Sequence, residues 1–178
     1  MSTSMRDELI LESSSPEQTM SVGRAIGACC QVGDIIALDG ELGAGKTQFV
    51  RGLAEGLGLD PRHVSSPTFV MVQEYEHAGE GGQADLPVLV HIDAYRLRSA
   101  EDLESIGWDC DGAELRDQAV VAIEWASLIR PALGADYLSV AIAHESQGRR
   151  ISLSPSGLWS DRMKQVVRAL HDVGCSAE

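Results

Sequence analysis

Lysine is almost missing from this chain of 178 residues: only Lys46 and Lys164 occur, and Lys and Arg together number 14 against 27 Asp and Glu, a formal net charge of −13. Phosphate-backbone binding draws on clustered cations, so this balance argues against a nucleic-acid surface as the main business of the chain. Any RNA is expected to be held by another protein. Taken alone, the negative charge simply aids solubility. Long apolar runs are missing too; the longest, such as Ala119 to Ile123, fall far short of the roughly 20 residues of a membrane span. The opening stretch, MSTSMRDELILESSSPEQ, lacks the basic start, apolar core and small-residue cleavage site of an export signal, so a cytoplasmic location is expected.

The four cysteines, Cys29, Cys30, Cys110 and Cys175, follow neither zinc-ligand spacing nor a disulfide framework. They are read as reduced thiols, the adjacent pair serving packing. No repeat and no linker divides the chain, and its length suits one core rather than two. A single domain over residues 1–178 is therefore expected, with flexible ends before about residue 14 and after about residue 174.

What is present alternates in type. Ser15-Pro16-Glu17-Gln18 reads as a helix start with Ser15 as N-cap, and the helix is expected to run to about Cys30. Gly33-Asp34 is a turn, and Asp34 to Asp39 is an apolar run short enough for a buried strand. From Thr47 to Leu57, Phe49, Val50, Leu53, Ala54 and Leu57 recur at helical spacing, and Gly56 and Gly58 end the helix. Further strands are expected at Phe69–Tyr75, Val88–Asp93, Ala119–Trp125, Tyr137–His144 and Arg150–Ser154. Three of the strands (35–39, 88–92 and 119–123) are nearly continuous apolar runs, as expected when both faces are covered. His77 to Pro87 reads as a loop, Ser99-Ala-Glu-Asp as the start of a short helix, and Ser160 as the cap of a last helix to about Val173. The expected fold class is α/β: three layers of the P-loop NTPase type, with helices flanking a mostly parallel central sheet.

Between the first buried strand and its helix lies GELGAGKT. Gly40, Gly45, Lys46 and Thr47 fit G-x-x-x-x-G-K-[ST] in the strand–loop–helix context that a phosphate-binding loop requires. Backbone N–H groups converge there into an anion nest at the positive end of a helix dipole. Lys46 would reach the β- and γ-phosphates and the Thr47 hydroxyl would bind Mg²⁺. The bland alternative is an ordinary glycine-rich turn. Such a loop does not hydrolyse anything alone. Asp93, in HIDAYR, and Glu124, in AIEW, each end an apolar strand, where a carboxylate can hold magnesium or orient water, or can simply cap the next turn. In SSPTF, Thr68 sits where a γ-phosphate-sensing switch would lie, although Pro67 can equally just start a strand. An Asn-Lys-x-Asp guanine box is absent, because Lys164 follows Met163, so ATP is favoured over GTP.

GELGAGKT with the following QFVRGLAEGLG, then SPTF, HIDAYRL, IEW and GRR resemble, in order and spacing over roughly residues 15 to 155, the TsaE (YjeE) family of bacterial P-loop ATPases. The resemblance implies a role in making threonylcarbamoyladenosine next to the tRNA anticodon, as an ATP-hydrolysing partner of the TsaD and TsaB proteins that touches tRNA only through them. It implies that Gly43, Ala44, Gly45, Lys46, Thr47 and Gln48 wrap the phosphates of ATP or ADP, that Thr47 and Glu124 hold Mg²⁺, and that Asp93 is the second carboxylate near the metal. Thr68 would be the switch residue, Trp125 follows the glutamate as in the family, Gly148-Arg149 would lie near the nucleotide, and Glu17 to Thr19 would border the adenine. Catalysis would fall to Lys46, Thr68, Asp93 and Glu124. The chain departs from the family's pattern at Ala126-Ser127, where many members have a further carboxylate, and in the longer loop from His77 to Pro87. A small-molecule P-loop kinase remains the alternative, with Arg96 and Arg98 as candidate lid arginines. A binding module that uses ATP only as glue is the other.

Overall fold

The computed structural model describes residues 8–67, 71–77, 88–98, 100–108, 112–117 and 119–175. Thr68, the Phe69 start of a strand, Cys110, the Ser99 helix start and most of the His77–Pro87 loop lie outside them.

Ile35–Asp39 (β2) has no turn former before its final Asp39, and it is covered on both faces. Ile36 and Leu38 pack with Phe49, Val50 and Leu53 of the helix that follows, whereas Ile35 and Ala37 pack on the other side with Leu97, Trp108 and Leu133. Every second side chain thus enters a different core, as the two-residue period of a strand dictates. Each fully buried Leu, Ile or Phe contributes about 1.5–3 kcal/mol. Val88–Asp93 (β4), Ala119–Glu124 (β5) and Leu138–Glu145 (β6) complete a parallel centre with β2. Leu9–Ser13 (β1), Val72–Tyr75 (β3) and Gly148–Pro155 (β7) are added antiparallel at the flanks, giving the order β1-β7-β6-β2-β5-β4-β3. The α/β layering is as the sequence led us to expect. β1 corrects the expectation of a flexible start before residue 14: Leu11 is buried in the main core, and the strand pairs with β7 along its whole length.

Helix α1 (Pro16–Gly27) starts where read. Ser15 caps it through the Gln18 N–H, while Gln18 reaches back to the Ser14 N–H at 2.6 Å, one residue earlier than a regular capping box. Helix α2 (Lys46–Gly56) lies against α1 backbone to backbone at Gly23, Gly27, Gly52 and Gly56. That contact fixes the start of α1 beside the loop between β2 and α2. Two short helices, α3 (Ala100–Ser105) and α4 (Ala113–Arg116), precede β5; the second was not legible in sequence. The last helix, α5 (Trp159–Asp172), is not capped by Ser160. Leu158 holds the cap position and its own N–H donates to Asp136 Oδ1 at 3.1 Å, while the Trp159 and Ser160 N–H groups donate to the carbonyls of Ser156 and Gly157. No helix among the described residues is long and apolar enough to cross a membrane.

Candidate functional site

Three parallel strands end at the same edge of the sheet, and each ends in a carboxylate: β2 in Asp39, β4 in Asp93 and β5 in Glu124. The loop Gly40–Gly45 leaves that edge and turns into α2. Gly45 makes the turn with φ +113°, a left-handed value that favours glycine, and the Phe49 N–H donates back to its carbonyl at 2.9 Å. The free N–H groups of the first turn of α2 therefore lie at the mouth of the loop.

Lys46 is 4% exposed. Its ammonium donates to the Gly40 and Glu41 carbonyls at 2.7 and 3.0 Å and sits 4.0 Å from the centre of the Trp125 ring. Burial pulls its pKa below the ordinary value, while Glu124, Asp93 and Asp39 pull the other way. Thr47 and Glu124, far apart in sequence, meet: the Thr47 hydroxyl donates to Glu124 Oε1 at 2.9 Å. A hydroxyl that donates keeps its lone pairs, so the Thr47 oxygen remains able to ligate a metal. Glu124 is 4% exposed. Burial pushes its carboxyl up, but the hydrogen bonds and charge of His91, the Thr47 hydroxyl and Lys46 outweigh it and hold the pKa below the ordinary carboxylate value.

Asp93 is equally buried, and Oδ1 accepts the Tyr95 N–H at 3.0 Å, capping the 3-10 turn Ala94–Arg96. The capping role open to both carboxylates in sequence is thus taken by Asp93. Glu124 instead points at Thr47.

Mg²⁺ takes hard oxygen ligands and usually only one or two from protein, the rest coming from phosphate and water. Thr47, Glu124 and Asp93 offer an all-oxygen set and fit. Among the described residues no group of three or more His, Cys, Asp or Glu is placed to hold a metal ion unaided.

On its other side the loop walls a cleft of about 170 Å³. Of the residues singled out in sequence, Thr19, Gly43, Ala44, Gly45, Gln48 and the Gly148-Arg149 pair line it. Arg149 donates to the carbonyls of Ala44 at 2.9 Å, Gly148 at 2.8 Å and Gly43 at 3.4 Å, and so braces the loop. Glu17, exposed on the first turn of α1, does not line the cleft. Ser13, Ser14, Ser15 and Pro16 do, because β1 delivers them there. Sequence reading missed them along with that strand. It also missed Asp39, whose carboxylate accepts from Arg130 and, at 2.8 Å, from the Ser127 N–H, fixing the turn in which Trp125 adopts φ +60°. Its signal, an acid ending a buried strand, was the one that found Asp93 and Glu124.

Comparison with known proteins places the chain in a family. A family model described as "Threonylcarbamoyl adenosine biosynthesis protein TsaE" matches residues 13–151. A Bacillus subtilis protein named "tRNA threonylcarbamoyladenosine biosynthesis protein TsaE" is 37% identical over 135 residues, covering 76% of this chain and 77% of its own. An Aquifex aeolicus protein of the same name is 37% identical over 125 residues, 70% of this chain and 80% of its own. The crystal structure of Bacillus subtilis YdiB superposes with a TM-score of 0.71 at 28% identity, covering 96% of this chain and 99% of that one. The chain belongs to the TsaE family, the proteins of tRNA threonylcarbamoyladenosine biosynthesis.

Proposed function

We propose that this chain is the Mg²⁺-dependent ATPase of the machinery that places threonylcarbamoyl on the adenosine next to the tRNA anticodon. It converts ATP and water to ADP and phosphate and acts in the cytoplasm as a nucleotide switch on a complex of TsaD and TsaB proteins. The observation that carries the reading is the 2.9 Å contact of Thr47 Oγ1 with Glu124 Oε1 at the mouth of a glycine-rich loop. A buried lysine lies in the same loop. A structural turn has no need of a hydroxyl, a carboxylate and an ammonium gathered at one end of a helix.

In this reading the amides of Gly43 to Gln48 cradle the phosphates, and Lys46 moves from the Gly40 and Glu41 carbonyls to the β- and γ-phosphate oxygens. When bound, Mg²⁺ would supply positive charge to offset that of the phosphates. Thr47 and Glu124 hold the metal, and Asp93 orients the attacking water. Thr68 is the switch residue. The adenine lies against Thr19 and the Ser13–Pro16 wall, and Arg149 keeps the loop in shape. The acidic surface leaves tRNA to the partners.

A pull-down with TsaD and TsaB in ATP, ADP and a non-hydrolysable analogue, with phosphate release measured in parallel, tests it. Retention should be strongest with the analogue and weakest with ADP. Equal retention in all three refutes the switch. A phosphorylated small molecule in place of free phosphate would make the chain a kinase.

A further inference from the structure

β4 is an apolar run, Val88-Leu-Val-His-Ile-Asp93, interrupted once before its final carboxylate. The interruption, His91, has no exposed surface at all. Leu89, His91 and Asp93 face the same side of the sheet, and at position 91 a leucine would fill the core at no polar cost. The ring instead places Nε2 at 3.0 Å from Glu124 Oε1, while Nδ1 has no hydrogen-bond partner among the described residues. A carboxylate only accepts, so Nε2 carries the proton and donates. Thr47 donates to that same oxygen. Two donors from two elements therefore converge on Oε1, and neither of them occupies Oε2.

We infer that His91 is the positioning residue for Glu124: its Nε2–H pins Oε1 so that the carboxylate presents Oε2 to the metal side of the phosphate loop. The inference deepens, and rests on, the reading of this end of the sheet as a Mg²⁺-nucleotide site. A glutamate side chain has three torsions and would sample several rotamers at a strand end. A donor on the neighbouring strand removes that freedom before the metal arrives. The register supplies it: His91 lies opposite Ala122 and Asp93 opposite Glu124, so the imidazole reaches diagonally along one face of two paired strands. Groups that orient metal ligands in this way set metal affinity without touching the metal.

Two amide replacements separate the donor from its burial. Glutamine carries its N–H₂ three bonds from Cβ, as histidine carries Nε2; asparagine carries it two bonds out, as histidine carries Nδ1. Binding of a fluorescent ATP analogue to the full-length protein is followed without metal and across a MgCl₂ titration, with thermal melts and phosphate release alongside. His91→Asn should raise the half-saturating Mg²⁺ roughly tenfold or more, with metal-free nucleotide affinity held within about twofold. His91→Gln should stay within about threefold of wild type in Mg²⁺ dependence and recover most turnover. Both variants bury an amide, so a common folding cost cancels between them. Unchanged Mg²⁺ dependence in His91→Asn, or a His91→Gln as defective as His91→Asn, overturns the inference while leaving the nucleotide site intact. Wild-type protein whose nucleotide binding ignores Mg²⁺ would sink the site and the inference together.

Discussion

Lys46 is a buried cation kept at a cost in stability. Burial lowers its folded-state pKa below the ordinary 10.5 despite three nearby carboxylates. The fold thus binds this proton more weakly than the unfolded chain does. At neutral pH the charged lysine lowers stability, and the cost fades as pH rises through the folded and then the unfolded value. Lys46→Met should therefore abolish ATP binding in calorimetry and leave the thermal midpoint at or above that of wild type. A destabilised variant that still binds ATP would contradict this account. Glu124 has the opposite sign of linkage. Its pKa lies below the ordinary 4.5, so its contribution is present above that value and is lost as pH falls through the lower folded one. In acid unfolding, Glu124→Gln should trail wild type at neutral pH, and the gap should close in that acid window. A gap that persists to the lowest pH would show that the loss comes from packing rather than ionisation.

At the scale of elements, the contact between α1 and α2 shapes the cleft. Alanine is favoured over glycine in a helix by about 1 kcal/mol. A Cβ on Gly52, however, would stand 1.9 Å from the Met20 carbonyl oxygen, and backbone cannot swing aside as a side-chain tip can. Overpacking of this kind costs about 1–3 kcal/mol or more, so steric repulsion wins over propensity. Gly52→Ala should lose about 2 kcal/mol in denaturant melts, a fall of roughly 4–8 °C in Tm for a chain of this size. Nucleotide affinity should fall with it, because separating the helices moves the Ser13–Pro16 wall away from the loop. An unchanged Tm would mean that the helices have room to part. The same helices were legible in sequence through caps and 3.6-residue spacing. Their glycine contact was not, because it joins residues about thirty positions apart.

For the whole molecule, β1 is the element with most at stake relative to its length. It extends the sheet from β7, buries Leu11 and carries Ser13, whose hydroxyl lies 2.8 Å from that of Thr19 in the cleft wall. Removing a buried leucine costs about 2–5 kcal/mol. A chain beginning at Ser14 should therefore melt about 10 °C lower and bind ATP more weakly. Equal melting would return the first residues to the role of a loose end. β1 escaped the sequence reading because LILES is short and its alternation brief, and its pairing partner lies near the other end of the chain.

Motifs set by local chemistry were complete in the sequence. The glycine-rich loop, the capped start of α1, the buried strands and the acids that end two of them each depend on residues a few positions apart. Convergence across the sheet was decided only by the tertiary structure. It put Glu124 on Thr47 and Asp93 on its own turn, gave Glu124 a buried histidine and Arg149 a hold on the loop, and brought Ser13–Pro16 into the cleft wall. Strand order and register bring such residues together, and neither is written in the spacing of any single segment.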